Sequence, residues 1–458
     1  MSITLRLNQP LHNELLAMAT DPVETGAVLL ARLVRIDSDR SVLIGTELIP
    51  VPEEAYEVRT SQSLQVTSDG YVHALKRARS TGTVPIWVHS HPGNGSVPRP
   101  SRHDHLVNSQ LTELFADRSE SDHYGFLIVS HDAHALTFSG AVEGAVTGPI
   151  SQLSVIGAQW IFRAAHDSER HVSYDLFDRN IRAFGHQIQD TISGITVGIV
   201  GAGGTGSSTA EQLARLGVRR FILIDPKDLS ESNLTRVYGS TPSDVGRPKV
   251  DVLGDHLERI TPGVNVTRIR GSVTTQSVAE ALRGADVVFG CTDDNAGRLR
   301  LSRLPYYYLT PLIDCGVQID SDANDIISGI FGRVTVIHPG TACLVCRDRI
   351  DFARAEAEVR SAEEQTRLEQ EGYAPALPGV EPAVVTFTTL VAATAVSELI
   401  ERLVGYGETP TPSEQILYVH DRASRVNTEE PHTHHYCDPT NPRVGTDDDM
   451  FLGLNWAS

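Results

Sequence analysis

The most restrictive feature of the sequence lies at residues 196–224. A short apolar run, Thr196–Val200, leads straight into Gly201-Ala202-Gly203-Gly204-Thr205-Gly206, then a helical pattern over Ser207–Leu216 and a second apolar run, Phe221–Ile224. Two β-runs separated by one helix cannot pair as a hairpin, so they are read as parallel neighbours in a βαβ unit. Further runs at Val264–Arg268, Asp286–Gly290, Pro311–Cys315 and Gly329–His338, with a helical pattern at Lys249–Arg259, extend this into a doubly wound, Rossmann-like α/β sheet. Glycines at a strand-to-helix turn let backbone N–H groups close on an anion. Gly201, Gly203, Gly204 and Gly206 are therefore candidate phosphate contacts.

The turn alone does not name its nucleotide. Asp225 closes the second strand and can accept hydrogen bonds from ribose hydroxyls, which suits NAD as well as ATP. The polar set that follows separates them. Asn233 and Arg236 in Ser232-Asn233-Leu234-Thr235-Arg236, and Lys249 in Gly246-Arg247-Pro248-Lys249, put two fixed cations in one short stretch. A triphosphate demands such a pair and a hydride-transfer site does not. Cys291-Thr292-Asp293-Asp294-Asn295 then offers a carboxylate for Mg²⁺ at the carboxyl edge of the sheet. Taken singly, Arg236 and Lys249 could equally be solvated charges and Asp293 a helix cap.

Together these residues resemble the ThiF, molybdopterin-synthase-adenylating and ubiquitin-activating superfamily, over about residues 175–440. The resemblance implies ATP contacts from Gly203, Asp225, Asn233, Arg236 and Lys249. Asp293 becomes the magnesium-site acid, chosen over Asp294 by its spacing to Arg298. Arg179, in Asp178-Arg179-Asn180-Ile181, matches an arginine that reaches a partner subunit's ATP, which implies a homodimer or pseudo-dimer. The implied reaction is attack of a C-terminal glycine carboxylate, on a ubiquitin-like or sulfur-carrier protein, at the ATP α-phosphate. Many relatives carry a thioester cysteine in the crossover stretch, but 347–417 contains none.

Cysteine usage points to metal rather than disulfides. There are five, at 291, 315, 343, 346 and 437, too few and too uneven for a disulfide scaffold. Cys343-Leu344-Val345-Cys346 resembles the first half of the superfamily's structural zinc site. His434-His435-Tyr436-Cys437 repeats the two-residue gap, so Cys343, Cys346, His434 and Cys437 are the expected structural Zn²⁺ set. The alternative is a buried reduced pair beside a solvated histidine-rich tail.

A second constellation lies near the start of the chain. Trp87-Val88-His89-Ser90-His91-Pro92 follows a β-run, and alternation puts His89 and His91 on one face. Asp104 lies thirteen residues beyond His91, Ser101 three before it, and Glu24 far upstream. Two imidazoles, a carboxylate and a water make the open site that catalytic zinc requires. Glu24 could move the proton and Ser101 could stabilise an oxyanion. An isolated His-x-His would instead be read as packed histidines. The full set resembles the JAMM (MPN-type) metalloprotease motif, over roughly the first third of the chain. That resemblance implies a deaminase-like α/β fold, zinc ligands His89, His91 and Asp104, acid/base Glu24, and cleavage after the C-terminus of a ubiquitin-like protein.

The expected organisation is therefore a JAMM-type domain over 1–150, a linker over 151–174 broken by Gly148-Pro149, an adenylating domain over 175–445 and a frayed tail over 446–458. The charged stretch 347–372 reads as an exposed helix or crossover, interrupted after it by Pro375, Pro378 and Pro382. Lys and Arg total 39 against 58 Asp and Glu, a formal charge of −19, so nucleic acid and anionic membranes are not expected partners. The start of the chain lacks a basic flank and apolar run, and Val384–Ile400 is diluted by polar residues; a cytoplasmic protein is expected. Three readings remain open: a bifunctional enzyme on a ubiquitin-like protein, a sulfur-carrier activator, or a binding module without turnover. A nicotinamide dehydrogenase is a fourth.

Overall fold

The computed structural model describes all residues except 95–96, 133–134, 166–174, 323–325, 361–362, 365–366, 368–381, 408, 445–449 and 457–458. The chain divides into two compact units, Met1–Arg170 and His171–Ser458.

The first unit runs β1 (Ser2–Asn8), α1 (Gln9–Thr20), β2 (Gly26–Arg35), β3 (Arg40–Pro50), β4 (Tyr56–Arg59), β5 (Leu64–Val66), α2 (Asp69–Thr81), β6 (Val84–Asn94), α3 (Arg102–Ser119), β7 (His123–Asp132), β8 (Ala135–Gly144), β9 (Gly148–Ile156) and β10 (Trp160–Ala164). Its main sheet has the order β1-β3-β2-β6-β7-β8-β9-β10, and β1 also pairs with β9. The sheet therefore curls into a barrel-like ring. The deaminase-like expectation is met only as mixed α/β content. Leu11, Leu15 and Ala19 of α1 share one core with Leu5, Leu29, Leu43, Ile86, Val88, Leu127 and Val129 of the strands. The two-residue period turns Val28, Leu30 and Trp87 to the opposite face, where Ala74 and Ala78 of α2 and Phe115 of α3 cover them. That same period puts His89 and His91 on the Trp87 face, the side that carries α3.

The expected linker over 151–174 is replaced by strand as far as Ala164. Ile150, Leu153 and Val155 belong to the core, and Ile3–Asn8 of β1 pairs with Ile150–Ile156 of β9. The Gly148-Pro149 break thus marks the start of a strand, where proline is tolerated. The remainder of that linker, 166–174, lies outside the described residues.

The second unit contains α4 (Asp178–Gly194), β11 (Thr196–Val200), α5 (Gly204–Leu216), β12 (Arg220–Ile224), α6 (Lys249–Ile260), β13 (Asn265–Ile269), α7 (Gln276–Glu280), β14 (Val287–Gly290), α8 (Asn295–Leu301), α9 (Leu304–Tyr308), β15 (Leu312–Ser321), β16 (Ile327–Ile337), α10 (Phe352–Val359), α11 (Val385–Val404), β17 (Glu414–Tyr418) and β18 (Ala423–Asn427). The sheet order is β13-β12-β11-β14-β15-β16-β17-β18. The first five strands are parallel and the last three antiparallel. Strand order reverses between β11 and β14, which opens a crevice at their carboxyl ends. The apolar stretch 384–400 forms α11, and no described helix is long and apolar enough to cross a membrane. Of the charged crossover, Phe352–Val359 is helix; Pro375 and Pro378 lie outside the described residues.

The tail is a second correction. Phe451 packs on Tyr308 and under Arg283, Arg303 donates to the Leu452 carbonyl at 2.9 Å, and Arg300 sits over Trp456. Two aromatic rings with cationic partners anchor 450–456, within the tail expected to be frayed.

One buried ion network ties α8, β15 and β16 together. The Asp314 carboxylate accepts from Arg298 at 3.0 and 2.7 Å and from Arg333 at 3.2 Å, with Asp314 fully buried. Burial alone would push this carboxyl up; the two guanidinium groups outweigh it and hold it below its usual range. Asp314→Ala leaves two buried cations uncompensated, so we expect a loss of about 3–5 kcal/mol in denaturant unfolding. Because the folded carboxyl is depressed, its contribution is complete above the unfolded pKa of about 3.9 and fades as pH falls through the folded value. The gap between wild type and Asp314→Ala should therefore be flat near neutrality and narrow in acid.

Candidate functional sites

In the second unit the crevice is built around the glycine turn. Gly201 has φ +97°, a conformation that favours glycine. A Cβ on Gly206 would run into the Gly201 carbonyl, so α5 can start this close to β11 only with glycine there. Gly203, the helix N-cap, has open space where its Cβ would be. Asp225 is buried and fastens the turn: its carboxylate accepts from Ala202 N and Lys227 N, both at 2.8 Å. Each oxygen keeps a further lone pair for a hydroxyl.

The cations converge on this turn. The stem of Arg236 lies against Gly204, where an added Cβ would stand 3.2 Å from Arg236 Cδ, and its guanidinium donates to the Ser232 carbonyl at 2.8 Å. Lys249, the first residue of α6, is buried. Burial pulls its pKa down; Asp225 and Asp293 act to raise it, while Lys227 and Arg236 lower it further. Three of the other four expected polar residues, Asp225, Arg236 and Asp293, thus act on Lys249. The fifth, Asn233, is buried and caps its own turn through Ser230 N. Asp294 is committed locally, accepting from Gly297 N and the Thr292 hydroxyl, whereas Asp293 is exposed. Arg179 stands exposed in the first turn of α4 and is not among the charges acting on Lys249. Lys227, which the sequence reading passed over, is a third cation here; its only signal was its position two residues after Asp225.

The thiol cluster differs from expectation in one ligand. Cys343, Cys346, His435 and Cys437 bring their donor atoms within 4.8 Å of one another. His435 Nδ1 lies 3.3 Å from each of the three sulfurs. His434 is not part of the set: it has φ +64° and its N–H donates to Asp438 at 2.7 Å. That left-handed turn aims the next residue inward, a reversal that matching the gap of the first Cys pair could not foresee. Burial would push the Cys343 thiol up, but hydrogen bonds from Cys437, Tyr436 and Cys346 N–H bring it down to about 5. Cys346 moves up, through burial, and Cys437 moves up, through its bond to Cys343. Three thiolates here need a cation. The Cys346–Cys437 sulfur separation of 3.5 Å is near the ~3.8 Å that tetrahedral zinc with ~2.3 Å Zn–S bonds implies.

In the first unit, His89, His91 and Asp104 also converge. His89 Nε2 is 3.2 Å from both His91 Nε2 and Asp104 Oδ1, and His91 Nε2 is 3.6 Å from Asp104 Oδ2. The first turn of α3 delivers Asp104: Ser101 caps the helix, its hydroxyl accepting from Asp104 N while its own N–H donates to Asp104 Oδ2 at 2.6 Å. Ser101 is thus a cap that fixes Asp104 beside the two imidazoles. Burial would raise Asp104, but hydrogen bonds from His89 and the Ser101 N–H hold it well below the usual range. Burial and His89 lower His91. An ionised carboxylate beside a neutral imidazole is the donor state a divalent cation takes.

Glu24 precedes β2, whose Gly26 pairs with His89. Arg59 Nε donates to its carbonyl at 3.2 Å and Thr60 accepts its N–H at 2.8 Å. Its carboxyl is raised, first by burial and then by Asp104, against His89 and His103. His103 is exposed and close enough to act on this carboxyl. Ser90, the middle of the His-Ser-His run, was missed: its hydroxyl accepts from Thr25 N at 2.9 Å and bonds the Thr25 hydroxyl at 3.0 Å, clamping the residue after Glu24 to the strand that carries both histidines.

A model of the ThiF family matches residues 177–438, more than half of the chain. The chain belongs to the ThiF family. The matched residues include the glycine turn, Asp225, Arg236, Lys249, Asp293 and the whole thiol cluster. Sulfur carrier protein ThiS adenylyltransferase of Escherichia coli (strain K12) is 36% identical over 115 residues, covering 25% of this chain and 46% of that protein. Molybdopterin-synthase adenylyltransferase of Salmonella typhimurium is 32% identical over 172 residues, 37% of this chain and 65% of that protein. Ubiquitin-like modifier-activating enzyme 5 of Arabidopsis thaliana is 28% identical over 237 residues, 48% and 50% of the two chains. The chain spans about half to two thirds of the length of these relatives.

Within this ThiF-family unit the ligand exchange is directly testable. Elemental analysis of purified variants should find that His435→Ala loses the zinc of the thiol cluster, while His434→Ala, whose side chain is outside it, keeps it.

Proposed function

We propose that the second unit activates a small protein by adenylating its C-terminal glycine carboxylate. The observation that carries this reading is that Asp225, Arg236 and Asp293 all act on the charge of buried Lys249, with Asp225 bonded to the glycine turn at Ala202 N and the Arg236 stem lying against Gly204. The glycine-turn N–H groups and Arg236 and Lys249 would hold the triphosphate, and Asp225 the ribose. Asp293 would hold Mg²⁺, which when bound neutralises phosphate charge. As the carboxylate attacks the α-phosphate, negative charge grows on pyrophosphate, and Arg236 and Lys249 are placed to stabilise it. Binding a triphosphate also restores the charge that burial discourages on Lys249. Arg179 is proposed to complete a partner subunit's site in a homodimer.

The relatives' names point to ubiquitin-like and sulfur-carrier proteins as the substrate class. No cysteine lies between Cys346 and Cys437, so no thiol in the crossover can take the acyl group. That favours the sulfur-carrier reading, in which the adenylate passes directly to an external nucleophile. Lys249→Ala or Arg236→Ala should lower ATP–pyrophosphate exchange, driven by a small glycine-ended protein encoded nearby, by about 100-fold or more. Unchanged exchange in both variants would remove the adenylation reading.

We further propose that the first unit is a zinc peptidase acting at the C-terminus of the same protein class. Its support is the donor set His89, His91 and Asp104 with a raised carboxyl, Glu24, beside it. Zinc held there would supply a Lewis acid that acidifies water and polarises the scissile carbonyl. Glu24 would take a proton from the attacking water and give it to the leaving amine, for which a raised carboxyl is suited. Glu24→Gln should keep zinc and slow cleavage of a C-terminally extended carrier by about 10²–10⁴-fold. Cleavage at the wild-type rate would exclude Glu24 as the proton carrier, and cleavage by neither protein would leave a binding module.

A further inference from the structure

Three of the five cysteines form the cluster with His435. The other two, Cys291 and Cys315, are neighbours. The parallel register of β14 and β15 runs Val288↔Leu312, Phe289↔Ile313 and Gly290↔Asp314, which makes Cys291 and Cys315 the next pair. The Cys291 thiol is close enough to push the Cys315 thiol up. Adjacent strands lie ~4.8 Å apart, inside the roughly 4.4–6.8 Å Cα separation that a disulfide accommodates. Cys291 is half-buried and Cys315 buried, its Sγ 3.8 Å from the Ile313 carbonyl. One thiol is thus within reach of a small reagent and the other stands behind it to resolve.

We infer that Cys291 and Cys315 are a thiol-oxidation site that forms a reversible disulfide with low-molecular-weight disulfides, weakening nucleotide binding at the glycine turn. The Cys291 thiolate attacks one sulfur of the small disulfide, forming a mixed disulfide and expelling one small thiolate. The Cys315 thiol then attacks Cys291 Sγ, giving up its proton as it does so, and expels the second. Two electrons pass from the protein thiols to the small disulfide, and the two protons end on the two small thiols released.

The coupling to the turn is steric. A Cβ on Gly201 would stand 2.6 Å from the Cys291 carbonyl oxygen, and Cys291 N donates to Val200 O at 2.8 Å. Asp293 is two residues farther on. On the other strand, Cys315 follows Asp314, which holds Arg298 and Arg333. A covalent link between these positions shifts the carbonyl packed on Gly201 and re-aims Asp293. This nucleotide effect rests on the adenylation reading; the disulfide itself does not.

The test uses the full-length, zinc-loaded chain incubated with oxidised glutathione, trapped with N-ethylmaleimide and mapped by peptide mass spectrometry, with ATP binding measured before and after. We expect a Cys291–Cys315 cross-linked peptide, zinc retained, and a Kd for ATP raised at least tenfold, all reversed by dithiothreitol. Cys291→Ser and Cys315→Ser, as two independent variants, should both bind ATP with an affinity that oxidised glutathione does not change. Recovery of both cysteines alkylated, or of a stable glutathione adduct on Cys291 alone, overturns the disulfide. A mapped disulfide with unchanged Kd overturns the effect on binding. If the reduced chain binds no ATP, the adenylation reading fails while the peptide map still decides the disulfide.

Discussion

The second unit depends on how closely a helix can follow a strand. Gly206 sits against the Gly201 carbonyl with no room for a side-chain carbon, and only that absence lets α5 begin on the end of β11. Because the helix starts there, its free N–H groups lie at the carboxyl edge of the sheet, where strand order reverses between β11 and β14. Asp225 from β12, Lys249 from the start of α6 and the segment after β14 all arrive at that same edge. A bulkier turn would displace the helix and scatter the groups that meet over it.

The chemistry of the molecule is organised around charge that awaits a counter-charge. Lys249 is buried beside Arg236 and Lys227 with Asp225 as a nearby acid. Three thiols crowd one imidazole, and their burial opposes more than one thiolate. In the first unit an ionised Asp104 faces two imidazoles. Each arrangement is costly by itself and would be relieved by a counter-charge of the right sign, negative in the first case and positive in the others. The Arg298–Asp314–Arg333 network is the contrast, since the buried Asp314 carboxylate meets its counter-charge from within the chain. It holds β15 and α8 in place behind the segment that carries Asp293.

Within each unit the supporting residues matter as much as those that face a ligand. Ser101 places Asp104 by capping α3. Ser90 and Thr25 lock Glu24's strand to the one that carries both histidines. Asp294 and Thr292 pin the residues on either side of Asp293. None of these supports has a signature of its own, because a serine or threonine that caps or clamps looks the same in a sequence as one that faces solvent.

The amino-acid sequence by itself determined the local elements and the residue types of each site. The glycine turn between two apolar runs required a βαβ unit, the two-residue period put His89 and His91 on one face, and paired cations beside the turn called for a polyanion. What depends on long-range packing was decided only by the tertiary structure. A left-handed turn at His434 brings His435, not His434, to the three thiols. Pairing of β9 with β1 turns an apparent linker into a wall of the first unit, and aromatic contacts hold the expected tail against α9. Asp314 gave no sign of being buried, because its partners come from a helix and a strand elsewhere in the chain. Spacing along a chain fixes which side chains point the same way within one element; which elements then meet is settled by burying their faces together, and a sequence does not print that distance.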